Sequence, residues 1–363
     1  MKKNGFSIVE LMIAVAMATA IIAVMTSSFS SLNNDFMYSW NQLSLRRDLR
    51  VPLNMMLKDL RNSGTFGNFS FHNEAAASSY DSANTGNTCN SDWCVFDNTN
   101  SGMGVGVRTY TSANAPANVI PAGFALDGSS DVLRVQSGAN STALNFSTQC
   151  TPESGPFMLS GNMFSCLKFA TNNLTPSRTY MLTSSNQAYL VNFGSTYTLN
   201  SDANNTSLAN SISVTKNINE SVTFYTPDIY TMTISNLQTS YYFVGTPNGG
   251  VKGLYLRKLK DDGSGLTDAK LLSSAVSRMQ VSVLLLYVGL LANERINNYN
   301  TVNNNGMVRY LWCSAAGMQN VTACSTRWAR VAAINVALSG QSQKQVSGAY
   351  LTATESAGMG WLW

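Results

Sequence analysis

The chain has 363 residues, of which 12% are charged, about half of the ~25% that is usual in soluble domains. Its polar residues are mainly 39 asparagines and 45 serines, and it contains a single histidine, His72. This composition excludes a nucleic-acid-binding protein with a basic stripe and an acidic disordered chain, so we expect no specific nucleic-acid partner. The net charge of +4 includes Lys2 and Lys3, whose removal would leave the chain nearly neutral.

The N-terminal segment has the length and polarity of a membrane-spanning helix. Two lysines precede a run from Phe6 to Met25 whose only charged residue is Glu10. Twenty helical residues are about 30 Å long, which matches the hydrocarbon core of a bilayer. No small-residue signal-peptidase site follows the run cleanly. We therefore expect residues 6–25 to hold the chain in a membrane.

Glu10 is an unusual residue for such a segment. A carboxylate at mid-bilayer costs about 2.5–3.5 kcal/mol, and less near the interface. Two interpretations stay open: the carboxylate reaches the lipid headgroups, or a partner cation offsets its cost. The same helix carries two small-x-x-x-small pairs, Ala14/Ala18 and Ala16/Ala20, which allow helices to approach each other closely.

The helical pattern continues beyond the apolar run. Apolar residues step by three and four between Phe29 and Leu60, as expected for an amphipathic helix. Pro52 predicts a kink or a division of the helix, and Gly64 predicts its end. We expect one helix from Phe6 to about Ser63, on which Arg46 to Arg50 form a solvated face with local ion pairs.

The rest of the chain predicts a head built from strands and loops. Residues 65–125 are rich in Asn, Ser, Gly and Ala and predict a long irregular stretch of surface loops. Farther on, short runs between turn signals predict strands, and Pro247-Asn248-Gly249-Gly250 predicts a hairpin turn. The predicted strands are Val132–Ser137, Thr179–Thr183, Ala188–Phe193, Thr231–Ile234, Tyr241–Gly245, Gly253–Leu259, Arg278–Tyr287 and Trp328–Leu338.

The predicted fold class is therefore α+β. A long N-terminal helix, with a membrane-spanning base and a kink near Pro52, packs on a mostly antiparallel β-sheet head with long loops. No helix-length periodic segment occurs among the predicted strands, which favours antiparallel pairing over parallel pairing through crossover helices.

The six cysteines fall into three local pairs with 4, 15 and 10 residues between partners: Cys89 and Cys94, Cys150 and Cys166, and Cys313 and Cys324. An oxidising compartment would make them disulfides, whereas a cytosolic chain would use them as metal ligands or redox thiols. Six cysteines can pair in many ways. We predict the adjacent pairing, because short loops close at little entropic cost and turn residues flank each pair. A loop as long as Cys150–Cys166 would contribute about 3 kcal/mol to stability.

The sequence offers no constellation for catalysis, so we expect no enzyme activity, no cofactor and no metal. The common hydrolase, zinc-protease and phosphate-loop motifs do not occur, and His72 lies in the loop-rich stretch, where a solvated residue is expected. Asp127–Asp131 and Asp261–Gly265 contain oxygen ligands for calcium, but they lack the pattern of an EF-hand loop, which favours turns. Trp361 and Trp363 either anchor a partner or fill the underside of the sheet.

The residues from Gly5 to Ala14, Gly-Phe-Ser-Ile-Val-Glu-Leu-Met-Ile-Ala, resemble the class III leader junction of type IV pilins. In that family the leader is short and basic and ends in glycine. The mature chain then begins with phenylalanine and has a glutamate at its fifth position. The resemblance implies that a prepilin peptidase cuts between Gly5 and Phe6 and that Phe6 is N-methylated. It also implies that Glu10 neutralises the N-terminal amine of a neighbouring subunit. The predicted domains are a leader (1–5), a pilin helix (6–63) and a head (64–363).

Later segments are similar, in family order, to the PilW-type minor pilins. They are the helix end Leu57–Gly67, the first strand Asp131–Val135, the hairpin Tyr241–Arg257, the segment Leu271–Tyr287 and the closing strand Arg330–Leu338. Two departures occur. Ser273–Ala275 lacks the acidic pair of the family, and the ending Gly358–Trp363 is not arginine-rich.

The resemblance implies a minor pilin that primes type IV pilus assembly, lies at or near the pilus tip, and supports twitching motility and adhesion. The implied partners are other minor pilins, the major pilin, the prepilin peptidase, the inner-membrane assembly platform and a large tip adhesin. The head would lie in the periplasm before assembly and at the cell surface afterwards. Two alternatives stay open: a pseudopilin of a type II secretion system, and a membrane-anchored periplasmic binding module.

Overall fold

A computed structural model of the chain describes residues 7–66, 69–70, 107–115, 119–146, 157–159, 167–169, 179–183, 188–192, 198–200, 211–213, 222–224, 233–260, 266–288, 308–314, 329–346 and 349–360. Several predicted features lie outside these residues. They are Gly5, Phe6, His72, Cys89, Cys94, Cys150, Cys166, Cys324, Asp261–Gly265, Trp361 and Trp363. Cys313 lies in a described strand, but its side chain is outside the description. The disulfides therefore stay predictions.

The N-terminal helix, α1, is continuous from Ile8 to Arg61. The prediction of one helix over residues 6–63 is therefore confirmed to within two residues at each end. Pro52 lies inside α1 without dividing it, and its side chain is buried. Gly64 follows the helix with a φ of 72°, a left-handed conformation that glycine adopts without strain. The predicted end of the helix at Gly64 is thus confirmed.

In the described part of the chain, α1 is followed by a 3-10 turn at Ser112–Asn114 and by these strands: β1 (Thr65–Phe66), β2 (Phe69–Ser70), β3 (Val107–Thr111), β4 (Phe124–Leu126), β5 (Asp131–Phe146), β6 (Phe157–Leu159), β7 (Leu167–Phe169), β8 (Thr179–Thr183), β9 (Ala188–Asn192), β10 (Thr198–Asn200), β11 (Ser211–Ser213), β12 (Val222–Phe224), β13 (Thr233–Pro247), β14 (Gly253–Lys258), β15 (Lys270–Ser273), β16 (Val276–Val288), β17 (Val308–Ser314), β18 (Ala329–Val346) and β19 (Ala349–Gly360).

These strands form two main sheets in the described head. The larger sheet has the order β10-β11-β7-β5-β13-β14-β15, with β3 beside β5, β4 and β8 beside β13, and β9 beside β8. The smaller sheet has the order β17-β16-β18-β19, and β1-β2 and β6-β12 are two-stranded ribbons. Every pairing between described strands is antiparallel. The predicted α+β class with an antiparallel head is confirmed.

The C-terminal part of α1 lies along one face of both sheets. Its buried apolar residues recur every three or four positions, at Leu45, Leu49, Leu53, Met56 and Leu60. They share one apolar cluster with side chains of β3, β5, β13, β14, β16 and β18. Burial of each such side chain contributes roughly 1.5–3 kcal/mol. The helix therefore holds the two sheets together as one core.

The opposite face of the larger sheet carries a second, aromatic cluster. Phe124 packs edge-on against Phe243 and Tyr255, with ring centroids 5.9 and 5.0 Å apart. Phe243 and Tyr255 face each other across the β13–β14 hairpin. Residues 247–250 form its turn, in which Gly249 has a φ of 70°. The antiparallel pairing of β13 with β14 confirms the predicted hairpin, and glycine adopts the positive φ in its turn without strain.

The extent of several predicted strands is wrong. The two predicted strands within residues 231–245 form one strand, β13, and the predicted loop region 65–125 contains β1 to β3 and the start of β4. The strand β19 is absent from the predicted strands. In β13 several polar residues between the two predicted strands are buried, among them Thr239. Thr239 accepts a hydrogen bond of 3.1 Å from the side-chain amide of Gln136 in β5, so a partner about 100 positions away makes burial of this hydroxyl possible.

Candidate functional site

The N-terminal part of α1 protrudes from the head. Every residue from Ser7 to Trp40 is exposed, over a helix length of about 50 Å. By length and composition α1 is able to cross a membrane. An apolar surface of this extent is unfavourable in water, so lipid or other protein must cover it. This protruding segment is the candidate functional site.

Ser7 and Glu10 form a capping box at the start of α1. The Ser7 hydroxyl oxygen accepts a hydrogen bond from the backbone N–H of Val9 at 3.3 Å, and Glu10 Oε2 accepts one from the backbone N–H of Ser7 at 3.4 Å. These bonds satisfy donors that the first turn of a helix leaves without partners. The Glu10 carboxylate therefore faces back along the chain, toward the predicted cleavage point.

Apart from Lys2 and Lys3 in the predicted leader, cationic side chains are far from Glu10 along the chain. Between Asn4 and Leu45 the only charged residues are Glu10 and Asp35, and the next cation is Arg46, about 54 Å farther along the helix. Cleavage after Gly5 would also remove the leader lysines. The new N-terminal ammonium group would then be the one cation that this end of the chain supplies. In apolar surroundings an ion pair between an ammonium group and a carboxylate is worth several kcal/mol.

An apolar stripe, here called the seam, runs along the exposed part of α1. Its residues repeat every seven positions at Ile8, Val15, Ile22, Phe29, Phe36 and Leu43, with Leu11, Ala18, Met25 and Leu32 between them. Steps of three and four, interrupted only by the polar Ser39, keep these side chains on one face of the helix. A helix with this repeat packs against a second helix with a left-handed twist. The pattern is therefore that of a helix–helix contact.

The seam extends past the length that a bilayer covers. Leu43 lies about 27 Å beyond Met25 along the helix axis. Most other positions between them are Ser, Thr, Asn or Gln, and the exposed exceptions Met37, Tyr38 and Trp40 lie near the head end of this stretch. Phe29, Phe36 and Leu43 are nevertheless 72%, 65% and 65% exposed. Lipid does not reach these residues if residues 6–25 span the membrane, which leaves another protein to cover them.

A cleft of about 470 Å³ lies where the seam meets the head. Phe36 and Trp40 form its helical wall, with stacked rings whose centroids are 6.4 Å apart. Ala275 and Gln341 line it from the head, and Asp48 is the one charged residue among the lining residues. A helix that packs along the seam would thus end against the head at this cleft.

Polar contacts fix the position of α1 on the head. The Arg50 guanidinium contacts Glu355 of β19 at 3.2 Å, and Arg46 contacts the same carboxylate at 4.0 Å. On another strand, the Tyr242 hydroxyl donates a hydrogen bond of 2.6 Å to the Asp59 carboxylate. Burial, together with the adjacent Asp59 charge, raises the pKa of Tyr242, so this hydroxyl keeps its proton and stays a donor.

The expectation of local ion pairs between Arg46 and Arg50 is only partly correct. Arg47 and Asp48 do form such a pair, with a nitrogen–oxygen distance of 3.8 Å. Arg46 and Arg50 instead bind Glu355, which is 305 positions from Arg50. Residue periodicity and spacing in the sequence indicate contacts only between residues that are close along the chain. They therefore could not predict the contact of Arg46 and Arg50 with Glu355.

Residues 127–131, here called the junction turn, are fixed by the carboxylate of Asp127. Its Oδ2 accepts hydrogen bonds from the hydroxyls of Ser129 and Ser130, both at 2.7 Å, and its Oδ1 contacts the Lys252 ammonium at 2.8 Å. Partial burial acts to raise the pKa of Asp127, but these hydrogen bonds and the Lys252 charge outweigh it and lower the pKa to about 2.

The other end of the junction turn binds the smaller sheet. The Ser130 hydroxyl and Asp131 Oδ2 accept hydrogen bonds from the backbone N–H groups of Met279 (3.1 Å) and Val281 (2.8 Å) in β16. Burial raises the pKa of Asp131, although the Val281 N–H and the charge of Arg278 oppose this. The prediction of a turn is confirmed, and its carboxylates serve structural hydrogen bonds. Among the described residues, no three His, Cys, Asp or Glu side chains group into a metal site.

Replacement of Asp127 by asparagine is expected to destabilise the head by about 1 kcal/mol at pH 7, because the ion pair with Lys252 is partly exposed to solvent. The folded-state pKa lies below the ordinary value. The wild-type carboxylate therefore stabilises the fold above about pH 4, and this stabilisation is lost as the pH falls toward 2. Denaturant unfolding of the full chain in detergent should show a difference between the two proteins that shrinks over this range.

Asp35→Asn is the matched control, since Asp35 is exposed on the protruding helix. At pH 7 and at pH 2, the unfolding curve of Asp35→Asn should equal that of the wild type. A constant difference between wild type and Asp127→Asn from pH 7 to pH 2 would contradict the assigned role of Asp127.

Among the described residues, the structure thus separates the candidate functional features into two places. Glu10 and the seam lie on the protruding helix, whereas the junction turn lies within the head. Comparison of the chain with protein-family models, with curated proteins and with solved structures gives no match.

Proposed function

We propose that the chain is a minor pilin of the PilW type, which enters a type IV pilus through the seam of α1 and primes assembly at or near the pilus tip. The observation that carries the proposal is the seam. It is exposed from the start of α1 to the head, and it extends farther than a lipid bilayer reaches. A filament whose core is a bundle of such helices covers the whole seam.

The charge of Glu10 supports the same proposal. A lone carboxylate on an apolar helix is unfavourable until a cation neutralises it. In a bundle of helices, the ammonium group of a neighbouring subunit can serve as that cation. Because the pair forms at only one axial offset between the helices, it sets their register as well as their affinity.

The size of the head favours a terminal position in the filament. The contact with α1 uses one face of the two sheets, while the head comprises about 300 residues. A head of this size would crowd its lateral neighbours if it were repeated along a fibre. The proposed partners are therefore other minor pilins and the major pilin, together with the inner-membrane assembly platform and a tip adhesin. The head would lie in the periplasm before assembly.

Processing at the predicted junction gives a direct test. Replacement of Gly5 by leucine in the native host should block cleavage between Gly5 and Phe6, because a bulky residue occupies the position next to the scissile bond. We expect the uncut chain to accumulate in the inner membrane and surface pili to be lost. Mass spectrometry of the N-terminus and electron microscopy of the cells measure the two effects.

The matched control makes the same change at Gly128, in an exposed turn where an added Cβ has no atom within 4 Å. Gly128→Leu should be cleaved normally and support normal piliation. Normal pili made from an uncut Gly5→Leu chain would overturn the proposal.

A pseudopilin of a type II secretion system would share the leader, Glu10 and the seam. The Gly5→Leu strain also separates this alternative, because defective protein export with intact twitching motility would assign the chain to secretion. A membrane-anchored binding module is the remaining alternative, and it would keep its activity in this strain.

A further inference from the structure

The outermost strand of the smaller sheet, β19, has a long edge. It is 12 residues long and pairs with β18 along one side. Among the described strands, none pairs with its other side. Successive residues of an antiparallel strand direct their backbone N–H and C=O groups to alternate sides. About half of those groups in β19 therefore face outwards, where they form a template for another strand.

Within the described residues, this edge lacks two common forms of protection, a short length and a lysine or proline. Exposed sheet edges are commonly kept short or carry lysine or proline, which prevent another strand from adding. The strand β15, at one end of the larger sheet, is four residues long and begins with the exposed Lys270. The strand β17, at the other end of the smaller sheet, is seven residues long and contains Arg309. In contrast, β19 contains no proline and no cation, and its one charged residue is Glu355.

The two faces of β19 differ in chemistry. Thr352, Thr354 and Ser356 are exposed on the face away from α1. On the other face, the partly buried residues Leu351, Ala353, Ala357 and Met359 pack against the core cluster, with Glu355 in the middle of the row. A strand that adds to this edge would extend both rows, with uncharged polar residues on one face and apolar residues on the other.

An excess of positive charge lies beside the edge. Arg46 and Arg50 both contact Glu355, at 4.0 and 3.2 Å, and their side chains are 52% and 63% exposed. Two guanidinium groups and one carboxylate carry a net charge of +1. A carboxylate on an added strand, placed on the α1 face near these arginines, would balance that charge.

We propose that β19 binds an extended segment of a different polypeptide as a fifth strand of the smaller sheet. Backbone hydrogen bonds along the edge supply the affinity, and the alternating rows supply the specificity. The segment has no proline, apolar residues at alternate positions on the α1 face, uncharged polar residues on the other face, and one Asp or Glu near Arg46 and Arg50.

A second copy of the chain cannot pair its own β19 antiparallel with this edge in the same membrane. Two β19 strands paired antiparallel are related by a two-fold axis perpendicular to the sheet. The helix α1 lies along the sheet face, as its buried residues from Leu45 to Leu60 show. The axis would therefore direct the two apolar N-terminal segments in opposite directions, and a single membrane cannot hold both.

The test uses the full chain in detergent micelles and the synthetic peptide Val-Thr-Val-Ser-Glu-Ser-Val-Thr-Val, which carries the required alternation and a central carboxylate. We expect the peptide to slow hydrogen exchange of β19 amides and to bind with a dissociation constant below about 1 mM. Ser356→Lys places a cation on the edge strand and should weaken binding at least about tenfold. A peptide with lysine in place of its glutamate should also bind at least about tenfold more weakly.

Val251→Lys is the matched control, because Val251 is 57% exposed in the hairpin region away from β19; its binding should equal that of the wild type. Thr352→Lys replaces Ser356→Lys if the latter fails to fold. Three results would overturn the proposal: no protection of β19 at about 1 mM peptide, equal binding by the edge variants, or a peptide-free dimer that the edge variants abolish. Since the assay needs no filament, its result is independent of the proposed function.

Discussion

Replacement of Glu10 by glutamine is expected to reduce incorporation of the chain into pili at least about tenfold while leaving cleavage after Gly5 intact. Glutamine removes the charge but keeps an oxygen that can accept the hydrogen bond from Ser7, since Glu and Gln serve equally in a capping box. The variant therefore separates the two roles that the structure allows for this carboxylate. A tenfold loss corresponds to about 1.4 kcal/mol, less than a cation–carboxylate pair contributes in apolar surroundings.

The measurement compares the amount of chain in sheared pili with the amount left in the membrane. Asp35→Asn, which removes the next carboxylate along α1, is the control and should assemble normally. If Glu10→Gln assembles as well as the wild type, the carboxylate serves only as a helix cap, and the proposed pairing with a neighbouring amine is wrong.

Replacement of Leu49 by alanine is expected to destabilise the head by roughly 2–5 kcal/mol. Leu49 is fully buried between α1 and the smaller sheet. It lies against Gly340 of β18, where a Cβ would come within 2.7 Å of a Leu49 methyl carbon. The contact is so close that truncation leaves a cavity, which adds to the lost transfer free energy.

Leu43→Ala is the matched control on the same helix. Leu43 is 65% exposed and belongs to the seam. Its truncation should leave the free energy of unfolding unchanged, within about 0.5 kcal/mol, yet weaken incorporation into pili. Tryptophan fluorescence in denaturant, measured on the full chain in detergent, gives the first quantity, and the pilus fraction gives the second. Equal destabilisation by both variants would mean that the seam packs on the head instead of on another subunit.

The course of α1 could be predicted from the sequence because its determinants are local. The spacing of apolar residues, the absence of charge from Leu11 to Met25 and the glycine at position 64 each act within a few residues. The same holds for the hairpin turn at residues 247–250, whose conformation depends on Gly249. The structure confirms both elements nearly as they were predicted.

The edges and lengths of the strands could not be predicted in the same way. Polar residues such as Thr239 resemble loop residues until a partner strand supplies their hydrogen bonds. The last strand is a clear example, because its sequence is rich in Thr, Ser, Gly and Ala and has no apolar run. It becomes a strand by pairing with β18 and by packing under α1, and both are long-range events.

The sequence by itself determined that the chain begins with an apolar helix carrying one acid and continues, without a cationic stripe, into an antiparallel head. The low content of charged residues is a property of the composition and can be determined without knowledge of the fold. Only the tertiary structure decided where α1 stops being buried, and therefore that its seam is exposed over about 50 Å. It also decided that Arg46 and Arg50 contact Glu355 of β19, a strand whose outer side pairs with no described strand. The physical reason is range: helix periodicity is fixed by neighbours three or four residues away, whereas burial and strand pairing join residues that lie hundreds of positions apart.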